Sequence, residues 1–261
     1  MKTFFICMIG VLLAPLTQAQ EATIPASSVK AYPVLFQQTA AEYRALCYQA
    51  FNMAALRLQE IPRRKLRKSK LAIITDLDET ILDNSYSEAQ LIKEGKEYSS
   101  QAWKQWTDRA AATAVPGAVE FLQAAKQKGI SIFYISNRDT TEINSTLLNL
   151  RKLQLPDADT SHMLFLRNTS SKEVRRQQVM EQYEVVMLLG DNLTDFTTAF
   201  EVKGIGARNQ ATDAVKEEWG RRFIVLPNAI YGEWEKAMYD YDMRRTPADK
   251  EALRKSHLTG Y

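Results

Sequence analysis

A run of acidic residues directly after an apolar segment is the feature of this sequence with the clearest chemical meaning. The segment from Leu71 to Thr75 is followed by Asp76, Asp78 and Glu79. In an extended chain, residues two apart face the same way, so Asp76 and Asp78 should project together. Two carboxylates without a basic residue between them repel, and a hard dication such as Mg²⁺, which prefers oxygen ligands, would neutralise them. A polar turn is the alternative interpretation.

Polar groups also follow two later apolar segments, Ile130 to Ile135 and Met163 to Leu166. Ser136 and Asn137 come after Ile130 to Ile135, and their hydroxyl and amide could hold phosphoryl oxygens. Lys172 lies at the start of a helical pattern, where a cation would offset a phosphate and clustered carboxylates. Each of these residues, taken alone, is also compatible with a loop or a solvated surface.

A second pair of carboxylates follows the apolar segment from Val185 to Leu189. Asp191 and Asp195 are four residues apart, which places them on one side of a helical turn. We expect Asp191 to complete the metal site. Four consecutive apolar segments are thus each followed by a group that phosphoryl transfer uses, and independent turns would rarely share that order.

The elements that must position these residues alternate between short apolar runs and helical patterns. Continuous apolar runs indicate strands that are buried on both faces. The alternation predicts an α/β fold with a mostly parallel sheet, helices on both faces, and ligands at the carboxyl ends of the strands. The five predicted strands are Leu71 to Thr75, Ile130 to Ile135, Met163 to Leu166, Val185 to Leu189 and Phe223 to Leu226.

The region before the first predicted strand contains a helix and a basic run. Apolar residues at helical spacing predict an amphipathic helix over about residues 35–61, which Pro62 ends. Six basic residues follow within 63–70. A nucleic-acid patch is one interpretation, but no aromatic residues are interleaved and the net charge of the chain is only +3, so we favour a solvated connector and expect no nucleic-acid polymer as a partner.

The amino terminus has the pattern of a secretory signal peptide. Lys2 precedes an apolar run of about half the ~20 residues that a membrane-spanning helix needs, and small and polar residues follow it. We expect cleavage after Ala19, which gives a signal peptide over 1–19 and a single domain over 20–261. Cys7 lies inside the apolar run rather than at the processing point, so we expect a periplasmic or secreted bacterial protein without lipidation or membrane anchor.

The motifs together resemble those of the haloacid dehalogenase superfamily, whose core is Rossmann-like. The segments 76–85, 114–118 and 226–232 are, more narrowly, similar to the class C bacterial acid phosphatases, a group of 5'-nucleotidase and lipoprotein phosphatase type. The resemblance implies an Mg²⁺-dependent acid phosphatase that acts on small phosphomonoesters through an aspartyl-phosphate. It also implies a small helical cap, for which the insert over about residues 84–115 is the candidate.

The resemblance also implies a role for each motif residue. Asp76 would be the nucleophile, and Asp78 would protonate the leaving alcohol and later activate water. Mg²⁺ would be held by Asp76, the backbone carbonyl of Asp78 and Asp191. Asp195 would support this site by orienting a water and the lysine. The phosphoryl oxygens would be bound by Ser136, Asn137 and Lys172.

Substrates in this family include nucleoside monophosphates and nicotinamide mononucleotide, whose bases lie between aromatic side chains. The candidates for such contacts are Tyr231, Tyr86 and Trp106, with Trp103 as a further one, although aromatic rings more often serve packing. A phosphotransferase on the same scaffold and a non-catalytic exported binding protein are the alternatives. A homodimer is left open.

Overall fold

The computed structural model describes residues 29–261 and contains a five-stranded parallel sheet. The strands of the chain are β1 (Leu71–Thr75), β2 (Leu82–Asp83), β3 (Thr113–Ala114), β4 (Ser131–Ile135), β5 (Met163–Leu164), β6 (Glu184–Gly190) and β7 (Phe223–Val225). The main sheet has the order β5-β4-β1-β6-β7, and every neighbouring pair is parallel. The predicted α/β fold with a mostly parallel sheet is therefore confirmed, with the strand carrying Asp76 at its centre.

The central strand is buried along its whole length because both of its faces are covered. All five residues of β1 are buried. Leu71 and Ile73 belong to one hydrophobic cluster, whereas Ala72 and Ile74 belong to another. Successive side chains of a strand point to opposite faces, so this division shows that the two clusters lie on opposite sides of the sheet. A continuous apolar run, rather than an alternating one, is what such a position requires.

Helices cover both faces of the sheet and extend beyond it. They are α1 (Ala31–Thr39), α2 (Ala41–Gln59), α3 (Arg63–Lys68), α4 (Ser85–Glu94), α5 (Ser100–Thr107), α6 (Ala118–Gln127), α7 (Ile143–Lys152), α8 (Glu173–Met180), α9 (Ile205–Ala214), α10 (Glu233–Met238) and α11 (Pro247–His257). Short 3₁₀ turns lie at Thr140–Glu142, Leu193–Asp195, Thr198–Phe200 and Lys216–Glu218.

The single helix predicted over about residues 35–61 is two helices in the structure. Ala40 separates α1 from α2 and has an extended backbone, with φ −77° and ψ 127°. The hydroxyl of Thr39 donates to the carbonyl of Leu35 at 2.6 Å, a bond within the last turn of α1. Not all of the apolar residues whose spacing predicts α2 lie on its buried face. Leu46 and Leu56 are exposed. The residues that face the core are Tyr43, Cys47, Phe51, Ala54 and Leu58.

The insert over residues 84–115 leaves and rejoins the core at one point. The short strands β2 and β3 pair antiparallel, with Leu82 opposite Ala114 and Asp83 opposite Thr113. The segment between them contains α4 and α5, in agreement with its helical pattern. That the insert acts as a substrate-selecting cap stays a prediction.

The expected signal peptide over residues 1–19 lies outside the described residues. Within 29–261, no helix is both long and apolar enough to cross a membrane.

Candidate active site

The expected nucleophile lies where the central strand ends. Asp76 follows β1 directly, and its backbone N–H donates to the carbonyl of Leu189 in β6 at 2.9 Å. This bond extends the parallel ladder by one residue and fixes the backbone of Asp76 between two strand ends. Its side-chain Oδ1 accepts a hydrogen bond from Lys172. Oδ2 accepts no hydrogen bond from residues 29–261, so one oxygen is paired and the other is available.

Lys172 is a buried cation shared by two carboxylates. Its Nζ contacts Asp76 and lies 2.7 Å from Oδ1 of Asp195. Burial alone would lower the pKa of a lysine, but Asp195 and Asp76 outweigh this effect and the pKa of Lys172 lies above its usual range. The two carboxylates therefore favour the charged form of the Lys172 side chain.

Three carboxylates converge beside this lysine. One oxygen from each of Asp76, Asp191 and Asp195 lies within 4.8 Å of the others. Burial raises the pKa of Asp76 well above its usual range, against the opposing effect of Lys172, and Asp195 and Asp191 raise it further. Burial and then Asp195 raise the pKa of Asp191 to about 7. One lysine does not neutralise three carboxylates, and an all-oxygen donor set of this kind fits a hard divalent cation.

Neutral groups orient Asp191 without cancelling its charge. The hydroxyl of Thr80 lies 3.2 Å from Oδ1, and the amide of Asn228 donates to Oδ2 at 2.7 Å. Thr80 belongs to the acidic run after β1, and Asn228 follows β7. Asp191 itself follows β6, so it is held by segments from two other strand ends.

Asp195 is fixed by the turn that follows β6. Its Oδ2 accepts the backbone N–H of Asn192 at 3.0 Å, and Arg176 donates to the carbonyls of Thr194 and Asp195. The turn brings Asp195 so close to Gly190 that a Cβ at position 190 would lie 2.5 Å from Oδ2 of Asp195. Only glycine leaves room for this carboxylate beside the end of β6.

Asp78 faces a different cation from Asp76, although only one residue separates them in the chain. The guanidinium of Arg138 donates to Oδ1 of Asp78 at 2.7 Å and 3.0 Å and lies 3.2 Å from Oδ2. Asn84 donates to Oδ1 at 2.9 Å. The hydroxyl of Ser136 lies 3.4 Å from Oδ2. The expected acid is thus held in a set of contacts separate from that of Lys172.

The two residues expected to bind phosphoryl oxygens have partners in the loop after β4. Ser136 is buried, and its Oγ accepts the backbone N–H of Arg138 at 3.1 Å. The side-chain amide of Asn137 donates to the carbonyl of Ser170 at 3.0 Å and accepts from Arg175 at 2.6 Å. These bonds connect the loop after β4 to the segment that carries Lys172. The phosphate-binding roles of both residues stay predictions.

Comparison with known proteins decides the family. Residues 10–234 match the model of an acid phosphatase family, haloacid dehalogenase superfamily subfamily IIIB. The structure of the class C acid phosphatase from Bacillus anthracis is similar at 39% identity and a TM-score of 0.86, over 91% of this chain and 100% of that one. The same enzyme with tungstate bound gives 38% identity and a TM-score of 0.85, with the same shares covered.

The chain belongs to the subfamily IIIB acid phosphatases. It is accordingly a phosphomonoester hydrolase, as the sequence motifs predict. The superfamily generally uses a divalent metal, and the three converging carboxylates provide a place for one.

The aromatic residues proposed as base contacts lie in two arrangements in this acid phosphatase. Tyr86 is 49% exposed and stacks on Trp106, with ring centroids 6.3 Å apart and an angle of 20° between the planes. The indole N–H of Trp106 donates to Asn84 at 2.8 Å. The hydroxyl of Tyr231 donates to the buried carboxylate of Glu79. Trp106 and Tyr231 are therefore hydrogen-bonded to residues of the site, whereas the ring of Tyr86 is exposed. Contact of these three side chains with a base stays a prediction.

Several residues around the acid phosphatase site are not identified by the sequence reasoning. They are Glu79, Thr80, Asn84, Arg138 and Asn228. Four of them lie within the segments 76–85 and 226–232, and Arg138 directly follows Asn137, but the role of each depends on a contact with a distant segment. Trp103 is also part of these surroundings, because its ring faces the guanidinium of Arg138 at 5.5 Å.

Proposed function

We propose that this acid phosphatase hydrolyses small phosphomonoesters, nucleoside monophosphates among them, in an Mg²⁺-dependent reaction through an aspartyl-phosphate on Asp76. The observation that carries the proposal is the pairing at Asp76. One oxygen is held by Lys172 and the other accepts no hydrogen bond from residues 29–261, at the carboxyl end of the central strand. A nucleophile needs such an arrangement, because one oxygen must be fixed and the other must be free to attack.

The donor set supports the choice of Mg²⁺. The ligands would be Asp76, the backbone carbonyl of Asp78 and Asp191, with Asp195 supporting them. Carboxylate and carbonyl oxygens suit a hard cation, and the raised pKa values of Asp76 and Asp191 reflect negative charge that a dication would offset. The bound ion would supply neutralisation of the charge on the phosphoryl group.

The chain's own residues account for the bonds that form and break. Asp76 attacks phosphorus, which forms an acyl phosphate and breaks the bond to the leaving oxygen. Asp78 gives its proton to that oxygen, so the product leaves as an alcohol. Asp78 then takes a proton from water as the water oxygen attacks phosphorus. This second step releases inorganic phosphate and restores both carboxyl groups. Lys172, with Ser136, would hold phosphoryl oxygens throughout.

The exposed stack of Tyr86 on Trp106 supports nucleoside monophosphates as substrates. A base has a flat face that can extend such a stack, and aromatic pairs contribute about 0.5–1.5 kcal/mol beyond their buried area. The pattern of residues 1–19 supports export, so the proposed substrates are small phosphorylated metabolites outside the cytoplasm.

Trapping of the phosphoenzyme tests the proposed chemistry. Wild-type protein mixed with radiolabelled substrate and quenched in acid should retain label that hydroxylamine removes, as an acyl phosphate does. Asp76→Asn should retain none and should lose about 10⁴-fold or more in kcat, as loss of a nucleophile does in other enzymes. Asp213→Asn, at an exposed position on α9, is the matched control and should behave as wild type. Label in the Asp76→Asn protein would refute the assignment.

Metal and oxyanion additions test the rest of the site. EDTA should abolish hydrolysis of p-nitrophenyl phosphate, and Mg²⁺ should restore it. Tungstate is a tetrahedral oxyanion like phosphate and is bound by the Bacillus anthracis relative. We expect it to inhibit competitively here. Full activity of a protein stripped of divalent ions would contradict the proposed metal dependence.

A further inference from the structure

The side chain of Asn84 lies buried at the centre of the contacts around Asp78. Its amide nitrogen faces only acceptors: Oδ1 of Asp78 at 2.9 Å, a Glu79 oxygen at 3.4 Å and the carbonyl of Leu82 at 3.5 Å. Its amide oxygen faces only donors, the indole N–H of Trp106 at 2.8 Å and Arg138 at 3.5 Å. The orientation of the amide is therefore determined, because a flipped amide would place two oxygens against each other at Asp78.

Arg138 is the second group that holds Asp78. It is 3% exposed, and its remaining nitrogen donates to the hydroxyl of Thr146 at 3.0 Å. Its other two nitrogens donate to the carboxylate of Asp78. A guanidinium that is fixed at both ends and bonded to a carboxylate in a fork restricts the rotation of that carboxylate.

The two oxygens of Asp78 are held unequally. Oδ1 accepts from Asn84 at 2.9 Å and from Arg138 at 2.7 Å and 3.0 Å. Oδ2 has only longer contacts, with Arg138 at 3.2 Å and Ser136 at 3.4 Å. One oxygen is anchored and the other is the better placed to exchange a proton.

We propose that Asn84 and Arg138 are positioning residues that anchor Oδ1 of Asp78, so that Oδ2 meets the leaving-group oxygen, and that Trp106 fixes the amide of Asn84. The inference rests on the proposed role of Asp78 as the acid. It connects the insert to the chemistry, because Trp106 lies on α5 and stacks with Tyr86. The insert thereby helps to set proton donation as well as any contact with substrate.

The dependence of the rate on the leaving group separates positioning from general structural damage. A p-nitrophenolate leaves readily without a proton, whereas the alkoxide of benzyl phosphate must be protonated as it leaves. Both esters carry one aromatic ring, so their binding surfaces are similar. The quantity to compare is kcat/KM, which covers the steps up to departure of the alcohol and excludes hydrolysis of the phosphoenzyme.

The variants are Asn84→Leu and Trp106→Phe, with Asp78→Asn as the reference. General acid catalysis contributes about 10²–10⁴-fold, so Asp78→Asn should lose that much with benzyl phosphate and far less with p-nitrophenyl phosphate. Asn84→Leu and Trp106→Phe should also lower kcat/KM more for benzyl phosphate than for p-nitrophenyl phosphate. The loss for benzyl phosphate should be larger by a factor of about ten or more. Trp106→Phe removes one N–H and keeps a ring, so it tests the idea even if Asn84→Leu does not fold.

The guanidinium fork has its own test in a pair of variants. Arg138→Lys keeps the charge but cannot donate two hydrogen bonds in a fork, whereas Arg138→Met removes both. We expect kcat/KM of both variants to fall more with benzyl phosphate than with p-nitrophenyl phosphate. The fall should be smaller for Arg138→Lys than for Arg138→Met. Equal losses for the two esters would overturn the positioning role of Arg138.

Matched controls lie elsewhere in the molecule. Asn149 is also buried and binds the backbone of Ala112 through both ends of its amide, and Trp219 donates its N–H to the carbonyl of Thr212. Asn149→Leu and Trp219→Phe should change kcat/KM by the same factor for both esters. If Asn84→Leu or Trp106→Phe also changed kcat/KM by the same factor for both esters, the positioning role would be wrong. If Asp78→Asn showed no preference, the proposed acid itself would be wrong, so the two failures are distinguishable.

Discussion

Removal of the buried lysine tests the electrostatics of the site most directly. Lys172 is 6% exposed and contacts both Asp76 and Asp195. Lys172→Met keeps most of the length and the apolar stem of the side chain but removes the charge. The carboxylates of Asp76, Asp191 and Asp195 would then share one region without the lysine that contacts two of them.

The expected loss of stability is large for a single substitution. Removing one partner of a buried ion pair costs about 3–5 kcal/mol, because the other charge is left buried and unpaired. Protonation limits this cost, since burial already raises the pKa values of Asp76 and Asp191. We therefore expect the free energy of unfolding in EDTA to fall by about 3–5 kcal/mol at pH 8 and by less at pH 5. The kcat should fall by about 10²–10³-fold through loss of charge stabilisation.

Urea unfolding followed by circular dichroism measures the stability, in EDTA and again in excess Mg²⁺. Lys126→Met is the matched control, because Lys126 also pairs with an aspartate, Asp157, at 2.6 Å, but its side chain is 46% exposed. An ion pair with a solvent-exposed lysine contributes about 0–1 kcal/mol. Mg²⁺ should stabilise Lys172→Met more than wild type, since the dication replaces the missing positive charge and binds only the folded state.

Two results would refute this reasoning. One is a free energy of unfolding for Lys172→Met in EDTA within about 1 kcal/mol of that for Lys126→Met, which would mean that the buried pairs are no stronger than an exposed one. The other is a loss that is independent of pH between 5 and 8, which would mean that the carboxylates do not take up the charge imbalance.

Three other predictions concern the same site. Gly190→Ala should lower the free energy of unfolding by about 1–3 kcal/mol and reduce kcat, because its Cβ would displace Asp195, whereas Gly206→Ala, in open space on α9, should be neutral or stabilising by up to about 1 kcal/mol. In EDTA, stability should fall as pH rises from about 4 towards about 7, because the folded state keeps a proton on Asp191 that the unfolded state releases, and Mg²⁺ should flatten this slope; urea titrations at several pH values check it. Tyr86→Ala should raise KM for nucleoside monophosphates but not for glycerol phosphate, which has no ring to stack on Tyr86 and Trp106; unchanged KM for both would contradict the base contact.

The fold could be predicted from the sequence because its strands have an unusually clear pattern. A sheet covered on both faces needs continuous apolar runs, and β1 has four apolar residues in succession before Thr75. The parallel order then brings the strand ends to one edge, so Asp76 and Asp191 could be placed together without knowledge of any contact. Helix boundaries were less accessible, because apolar spacing does not mark the extended backbone of Ala40 that separates α1 from α2.

The partners of the site residues could not be predicted in the same way. Arg138 and Asp78 are 60 positions apart, and Asn228 and Asp191 are 37 positions apart. Polar residues such as these satisfy the same local preferences in a solvated loop as in a buried network. What distinguishes them is burial by segments distant in sequence, which no local pattern contains.

The contrast between Asp76 and Asp78 shows why those distant partners matter. Alternation in an extended chain predicts that the two carboxylates project together, and both do follow β1. The chain turns immediately afterwards, however, with Glu79 in a left-handed conformation at φ 56°. Asp76 meets Lys172, whereas Asp78 meets Arg138. Two carboxylates in one sequence motif can serve as nucleophile and proton donor only if their surroundings differ, and here the difference is made by two cations from separate loops.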